Sequence, residues 1–258
     1  MNENIKKYKI ETDWLGIKES DEELFNPMTF VFDTKNVDEI ISRMVFIMSK
    51  PEYFYFTVKY ILNVELLPFQ VVMLQELWRH KRPMLIASRG ASKSFTLAIY
   101  ALLRCLLIPK RRVVVVGSAF RQSKVIFGYM EDIWNNAPVL RDLCKAKDGP
   151  YREVDMCIMK INDGFVKCLP LGSGDKIRGQ RANDIIADEF ASIPIEIFEN
   201  VVQGFASVSS NVSDSVKLEA RKKLGIKNKK DELFEKLHIS NQVVYSGTAY
   251  YEFNHFAQ

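Results

Sequence analysis

The chain has 258 residues, 47% of them hydrophobic and 26% charged, with a formal net charge of +4. That length bounds it to one large domain or two small ones with room for a sizeable core, and the composition excludes a chain disordered as a whole or one dependent on disulfide staples. An isoelectric point near 8.7 permits a polyanionic partner without requiring one.

Residues 1–35 carry acidic and aromatic patches (Asp21, Glu22, Glu23; Phe25, Phe30, Phe32) and read as irregular or short elements. The first nine residues are polar and lysine-rich with no apolar stretch behind them, so no signal peptide is read and a cytoplasmic setting is expected. Residues 36–67 read as helical: Asn36 can cap, and Ile40, Ile41, Met44, Val45 and Met48 recur at helical spacing. Pro51 breaks that helix, an apolar-aromatic stretch covers 53–62, and a further helix is expected after Pro68. Then the pattern changes. Short apolar runs without alternation stand at 84–87, 113–116, 185–187 and 243–245, which suits parallel strands buried on both faces. Between the first two lies a helix over 94–108, apolar nearly all round, so a right-handed βαβ unit is predicted. Its apolar stretch is interrupted by Arg104 and is too short to span a bilayer, and no membrane partner is expected. In 154–169, Cys157, Met159 and Ile161 alternate, Asn162-Asp163-Gly164 turns, and Phe165 to Leu169 return, which is a hairpin signature. Residues 206–240, serine-rich and then lysine-rich, read as a surface excursion with a helical part over 214–223. Cys105, Cys144, Cys157 and Cys168 form no C-x-x-C pair and have no histidine at zinc-finger spacing, so they read as reduced, packed thiols.

Two places carry chemistry. The first apolar run leads into Ser88-Arg89-Gly90-Ala91-Ser92-Lys93-Ser94 and then at once into the apolar helix. A phosphate-binding loop needs backbone N–H groups converging at a helix N-terminus, a lysine for the β and γ phosphates, and a hydroxyl for Mg²⁺. Lys93 and Ser94 stand where those roles require them, whereas Ala87 and Ser92 stand at the two glycine positions of the usual pattern. Ser92 must therefore accept whatever φ the loop demands. The bland reading is a strand-to-helix turn with a polar tip; the buried strand before it, the buried helix after it and the Lys-Ser pair favour the loop. The second place is Asp184-Ile185-Ile186-Ala187-Asp188-Glu189, which sets two adjacent carboxylates at the end of a buried strand, the end at which open α/β sheets bind ligands. Asp188 is the candidate Mg²⁺ ligand and Glu189 the candidate base for an attacking water. The bland reading is an acidic helix start. The strand at 113–116, which falls between the two motifs, favours the P-loop class that uses a catalytic glutamate.

Four pieces in order then resemble one family, the large terminases of tailed bacteriophages. Leu67-Pro68-Phe69-Gln70 resembles their adenine-reading Q motif, and Ser88-Arg89-x-x-x-Lys93-Ser94 resembles their phosphate loop, with an arginine ahead of the lysine. Ile177-Arg178-Gly179-Gln180-Arg181 looks like the R-G-x-R element before the acidic strand, and residues 243–249 look like the motif that couples hydrolysis to movement. The set spans residues 67–249. The resemblance implies an α/β P-loop NTPase of the catalytic-glutamate class, with a mainly parallel sheet flanked by helices and a β-hairpin. It further implies a helical N-terminal extension (1–66) packed on an ATPase core (67–258), with no nuclease domain and no nuclease activity in this chain. It implies ATP and Mg²⁺ as ligands, with Gln70 reading adenine, residues Ser88, Arg89, Gly90, Ala91, Ser92, Lys93 and Ser94 around the phosphates, and Arg89 as an in-chain arginine finger. Ser246, Gly247 and Thr248 would sense the γ phosphate and transmit its loss. The expected activity is ATP hydrolysis that drives double-stranded DNA into a procapsid. The expected partners are DNA, a portal protein, a small terminase subunit and further copies in a ring, the isolated chain being monomeric.

Basic clusters stand at 80–82, at 110–112 and at 221–230, the last with six Lys or Arg in ten positions. Taken one by one, a solvated surface is the commoner reading of each. Arg221, Lys222 and Lys223 of the third are the best candidates for DNA or a neighbouring subunit, and Arg178 and Arg181 for DNA or nucleotide. Two other functions fit less of the pattern: another DNA-directed translocase or helicase-like ATPase, and a non-catalytic nucleic-acid-binding adaptor, favoured by the two missing glycines. Lys93, Ser94, Asp188 and Glu189 together argue against the adaptor.

Overall fold

Four consecutive valines, Val113 to Val116, leave a strand no polar face, and that strand lies at the middle of the sheet. The structure is a computed structural model whose described residues are 48–170, 182–194, 197 and 241–248. In chain order these form a short 3₁₀ turn (Pro51–Tyr53), α1 (Phe54–Ile61), α2 (Pro68–Arg79), β1 (Met84–Ile86), α3 (Lys93–Leu107), β2 (Arg112–Gly117), α4 (Phe120–Asn136), α5 (Pro138–Asp142), β3 (Gly149–Arg152), β4 (Cys157–Ile161), β5 (Gly164–Pro170), β6 (Asp184–Asp188), a 3₁₀ turn (Phe190–Ser192) and β7 (Gln242–Gly247). The strands make one sheet in the order β1-β7-β6-β2-β5-β4-β3. The pairs from β1 through β5 are parallel, and β4 and β3 add on antiparallel.

Alternate valines of β2 serve opposite faces. Val113 and Val115 join the larger core with Leu97, Leu102, Phe127 and, from α1, Phe54 and Phe56; Val114 and Val116 join a smaller one with Ile185, Ala187, Phe190 and Val243. α3 is buried along most of its length, as its all-round apolar sequence requires. The hairpin forms as read. Cys157, Met159 and Ile161 face the larger core, Asn162 takes the positive φ (53°) of the turn, and a Cβ on Gly164 would stand 2.5 Å from the Arg111 carbonyl oxygen. All four cysteines are free. Trp78 and Trp134 are partly buried against the core. No helix among the described residues is long and apolar enough to cross a membrane.

Three expectations need correction. The helix expected up to residue 67 ends at Ile61, where Asn63 turns left-handed (φ 52°) and its side chain donates to the Asn136 carbonyl. β1, read as buried on both faces, is an edge strand among the described residues: there it pairs only with β7, and Met84 and Ile86 are 54% and 49% exposed. The basic cluster at 110–112 is not a solvated face throughout, because Arg111 is 1% exposed. Arg111 and Arg104 both grip the Asp184 carboxylate, with Nε–Oδ2 distances of 2.7 and 2.8 Å. The Gln242 backbone N–H also donates to Asp184, and the Gln242 amide donates to the carbonyls of Trp78 and His80. One buried carboxylate thus ties α3, the start of β2, β6 and β7 together, and Gln242 extends the tie to the end of α2. Burial alone would raise the Asp184 pKa, but the two guanidiniums overcome it and hold the carboxyl below its ordinary value. The expectations for residues 1–47, Arg178, Arg181, 206–240 (with Arg221, Lys222 and Lys223) and 249–258 lie outside the described residues.

Candidate active site

At the carboxyl end of β1 the chain turns twice through the left-handed region, at Gly90 (φ 83°) and Ser92 (φ 56°), before α3 begins at Lys93. Such alternation turns successive N–H groups inward, and the dipole of a fifteen-residue helix stands behind them. Ser92, at the second glycine position, adopts the conformation that glycine would supply without strain. Its carbonyl accepts the first helical bond, from Thr96. Lys93 is buried, and its ammonium donates to the loop's own Ala87 and Ser88 carbonyls at 2.8 and 3.0 Å. A phosphate entering the loop would compete with these carbonyls for the ammonium. Arg89 is exposed at the loop tip and Ser94 half-buried on the first turn of α3.

β6 ends in Asp188, 3% exposed, and Glu189 follows in the left-handed region (φ 47°). A non-glycine residue held there stores strain. The Phe190–Ser192 turn secures it, with Ser192 N–H donating to the Glu189 carbonyl and Phe190 packed edge-on against Tyr245 of β7. Burial pushes the Asp188 carboxyl above its ordinary value and the Glu189 charge adds to this, while a hydrogen bond from Ser246 and the charge of Lys93 oppose it. The loop and the acidic pair stand at the carboxyl ends of β1 and β6, two parallel strands of one sheet.

The sheet order explains how they meet. A single strand separates β1 from β6, but it is β7, not the strand at 113–116 that precedes β6 in sequence. β7 contacts both halves: the Gly247 carbonyl accepts from Ala87 N–H at 3.2 Å, and Ser246 Oγ donates to Asp188 Oδ1 at 3.0 Å. Thr248 follows directly after the strand. Gln70, on the first turn of α2, is buried, and its side-chain oxygen accepts from Leu67 N–H at 2.8 Å. The cap uses one lone pair of that oxygen; its other lone pair and the Nε2 donors are what a base could meet. The sequence reading missed the Asp184 network, although its members include the first residue of the acidic strand and Arg104, a charge inside an apolar stretch; Arg111, between Lys110 and Arg112, gave no such signal.

The donor set fits a nucleoside triphosphate with a divalent ion. Among the described residues no three His, Cys, Asp or Glu side chains converge, and Mg²⁺ is ordinarily held by one or two carboxylates together with substrate phosphates. A mainly parallel sheet flanked by helices, with a strand-to-helix loop at one strand, an acidic pair two strands away and a β-strand between them, is the arrangement of the P-loop NTPase fold. Solved structures similar to the chain include the ATPase domain of the Thermus phage P74-26 large terminase, at 14% identity over 75% of this chain and 84% of that one, with a TM-score of 0.44. A mutant of that domain gives 12% identity over 78% and 71%, with a TM-score of 0.49. The HK97 bacteriophage large terminase gives 13% over 76% of this chain and 38% of that one, with a TM-score of 0.47. The chain thus spans well under half of that last protein. No protein-family model and no curated protein matches the sequence.

Proposed function

We propose that the chain is the ATP-hydrolysing motor of a DNA-packaging enzyme, a large terminase, and acts on double-stranded DNA at a viral portal. The observation that carries this reading is β7, hydrogen-bonded on one side to the phosphate loop and on the other to Asp188, which joins the two halves of a hydrolytic site. The ordered set from Gln70 to Thr248 supports the terminase assignment within that class.

Residues 88–94 cradle the phosphates, with Lys93 moving from its own loop's carbonyls to the β and γ oxygens. Ser94 and Asp188 would hold Mg²⁺, which supplies positive charge against the phosphate oxygens. Glu189 orients a water and accepts its proton as the water oxygen bonds to the γ phosphorus and the bond to the ADP oxygen breaks. Arg89 spreads the charge that develops on the γ phosphoryl group. Gln70 meets the adenine through its amide, and residues 246–248 report phosphate loss. Arg178, Arg181, Arg221, Lys222 and Lys223 are proposed contacts to DNA or a neighbouring subunit; portal protein, small terminase and a ring of copies complete the assembly.

The test is Mg²⁺-dependent ATP hydrolysis by the wild type, Glu189→Gln and Lys93→Ala, with and without double-stranded DNA. Loss of a positioned base costs on the order of 10²–10⁴ in rate. Turnover that falls by that much in Glu189→Gln while nucleotide binding persists, and wild-type turnover stimulated by duplex DNA, are expected. A wild type that neither binds nor hydrolyses ATP would overturn the reading.

A further inference from the structure

Ser246 is 0% exposed and Asp188 3% exposed, and the 3.0 Å hydrogen bond between them lies inside the sheet's carboxyl edge. Ser246 is in register with Leu85 of β1, while Ala187, one residue before Asp188, is in register with Tyr245, one residue before Ser246. Both strands of the site therefore flank this one hydroxyl, and the backbone on either side of it is fixed by ladder bonds. A serine hydroxyl has a single proton to donate, and here the Asp188 carboxylate receives it.

We propose that Ser246 is a positioning residue for the metal ligand: its hydroxyl holds the Asp188 carboxylate in the rotamer that presents the other oxygen, Oδ2, to the divalent ion of the nucleotide complex. This rests on the ATPase reading above and deepens it, because it gives the Ser246 hydroxyl a partner, the Asp188 carboxylate, through which residues 246–248 reach the metal ion. Groups that hydrogen-bond a ligating carboxylate fix its orientation, and their removal costs about 10–100-fold in metal affinity or activity. Without the hydroxyl, the carboxylate loses its partner on β7 and turns more easily about its terminal torsion, whose well is broad. The Gly247 carbonyl, one residue on, receives the Ala87 N–H, so the strand that orients the metal ligand is pinned to the phosphate loop at the next residue.

The experiment uses Mn²⁺ as the probe. Its binding to the whole chain saturated with ADP is followed by electron paramagnetic resonance, for the wild type, Ser246→Ala and Ser246→Thr. ADP binding in the presence of a chelator, and thermal melts, are recorded for each. Ser246→Ala is expected to bind Mn²⁺ about 10–100-fold more weakly with metal-free ADP binding unchanged, and Ser246→Thr, which keeps the hydroxyl and suits a strand, to restore it. In steady state the alanine variant should need correspondingly more Mg²⁺ for half-maximal rate, with kcat at saturating Mg²⁺ reduced far less. Wild-type Mn²⁺ affinity in a folded Ser246→Ala overturns the proposal while leaving the ATPase reading intact. A wild type that binds no ADP overturns both. If Ser246→Ala fails to fold, Ser246→Cys, which keeps a side chain of similar size but a weak donor, takes its place, and unchanged Mn²⁺ affinity there overturns the proposal equally.

Discussion

Ser92 shows how one side chain carries the phosphate loop's departure from its usual pattern. An L-residue in the left-handed region costs roughly 1–2 kcal/mol, and glycine avoids this while adding about 0.4–1 kcal/mol of unfolded-state entropy. Ser92→Gly is therefore expected to be neutral to about 1 kcal/mol stabilising in urea melts, with nucleotide binding retained. Ser92→Val, branched at Cβ and intolerant of φ 56°, should be clearly less stable than either. Equal stability of the valine and glycine variants would contradict this account of the loop. The places of Lys93, Asp188 and Glu189 were legible in the sequence, because Lys93 opens a helix and the acidic pair closes a strand. Ser246's partner was not legible, since Asp188 lies 58 positions away along the chain and only the sheet order brings them together.

At the scale of elements, continuous apolar runs located β2, β6 and β7 correctly, because strands covered on both faces need apolar side chains at every position. The same reasoning located β1 but misread its burial. The apolar run 84–87 does not say which side of the strand is paired, and among the described residues β1 lies at the sheet's edge. α4 was not read, although Ser123, Ile126, Phe127, Met130 and Ile133 are its buried face and recur with helical period. The polar positions between them, such as Lys124 and Glu131, mask that period in a reading tuned to apolar runs. The β4–β5 hairpin gives a prediction of its own. A methyl group on Gly164 would meet backbone rather than a movable side chain, at 2.5 Å, so Gly164→Ala should cost about 1–3 kcal/mol by overpacking. Calorimetry checks this; a loss below about 0.5 kcal/mol would mean that the hairpin shifts freely against the loop before β2.

For the whole molecule the Asp184 network sets the response to pH. Asp184→Asn leaves two buried guanidiniums facing an amide, and removing one partner of a buried ionic group costs about 3–5 kcal/mol. Because the folded pKa of Asp184 is lowered, its contribution is complete above the unfolded value near 4 and is lost as pH falls through the folded value. Urea melts should therefore show a large gap between wild type and Asp184→Asn at pH 7 that narrows in acid; a gap independent of pH would contradict it. Ligand linkage gives a second whole-molecule measurement. MgADP at a hundred times its Kd should stabilise the fold by about 2.7 kcal/mol, and Lys93→Ala should abolish the shift. The position of β7 bears as well on how the protein comes to exist in a cell. Met84 and Tyr245 are neighbours in the sheet, so a ribosome must have passed residue 242 before the strand that joins β1 to β6 emerges. Until then both strands present open edges to other nascent chains, and closure spans a long sequence separation of the kind that slows folding. The candidate site is thus completed only when β7 arrives, and a chain halted before residue 242 carries the loop after β1 and the acidic pair after β6 without the strand that joins them.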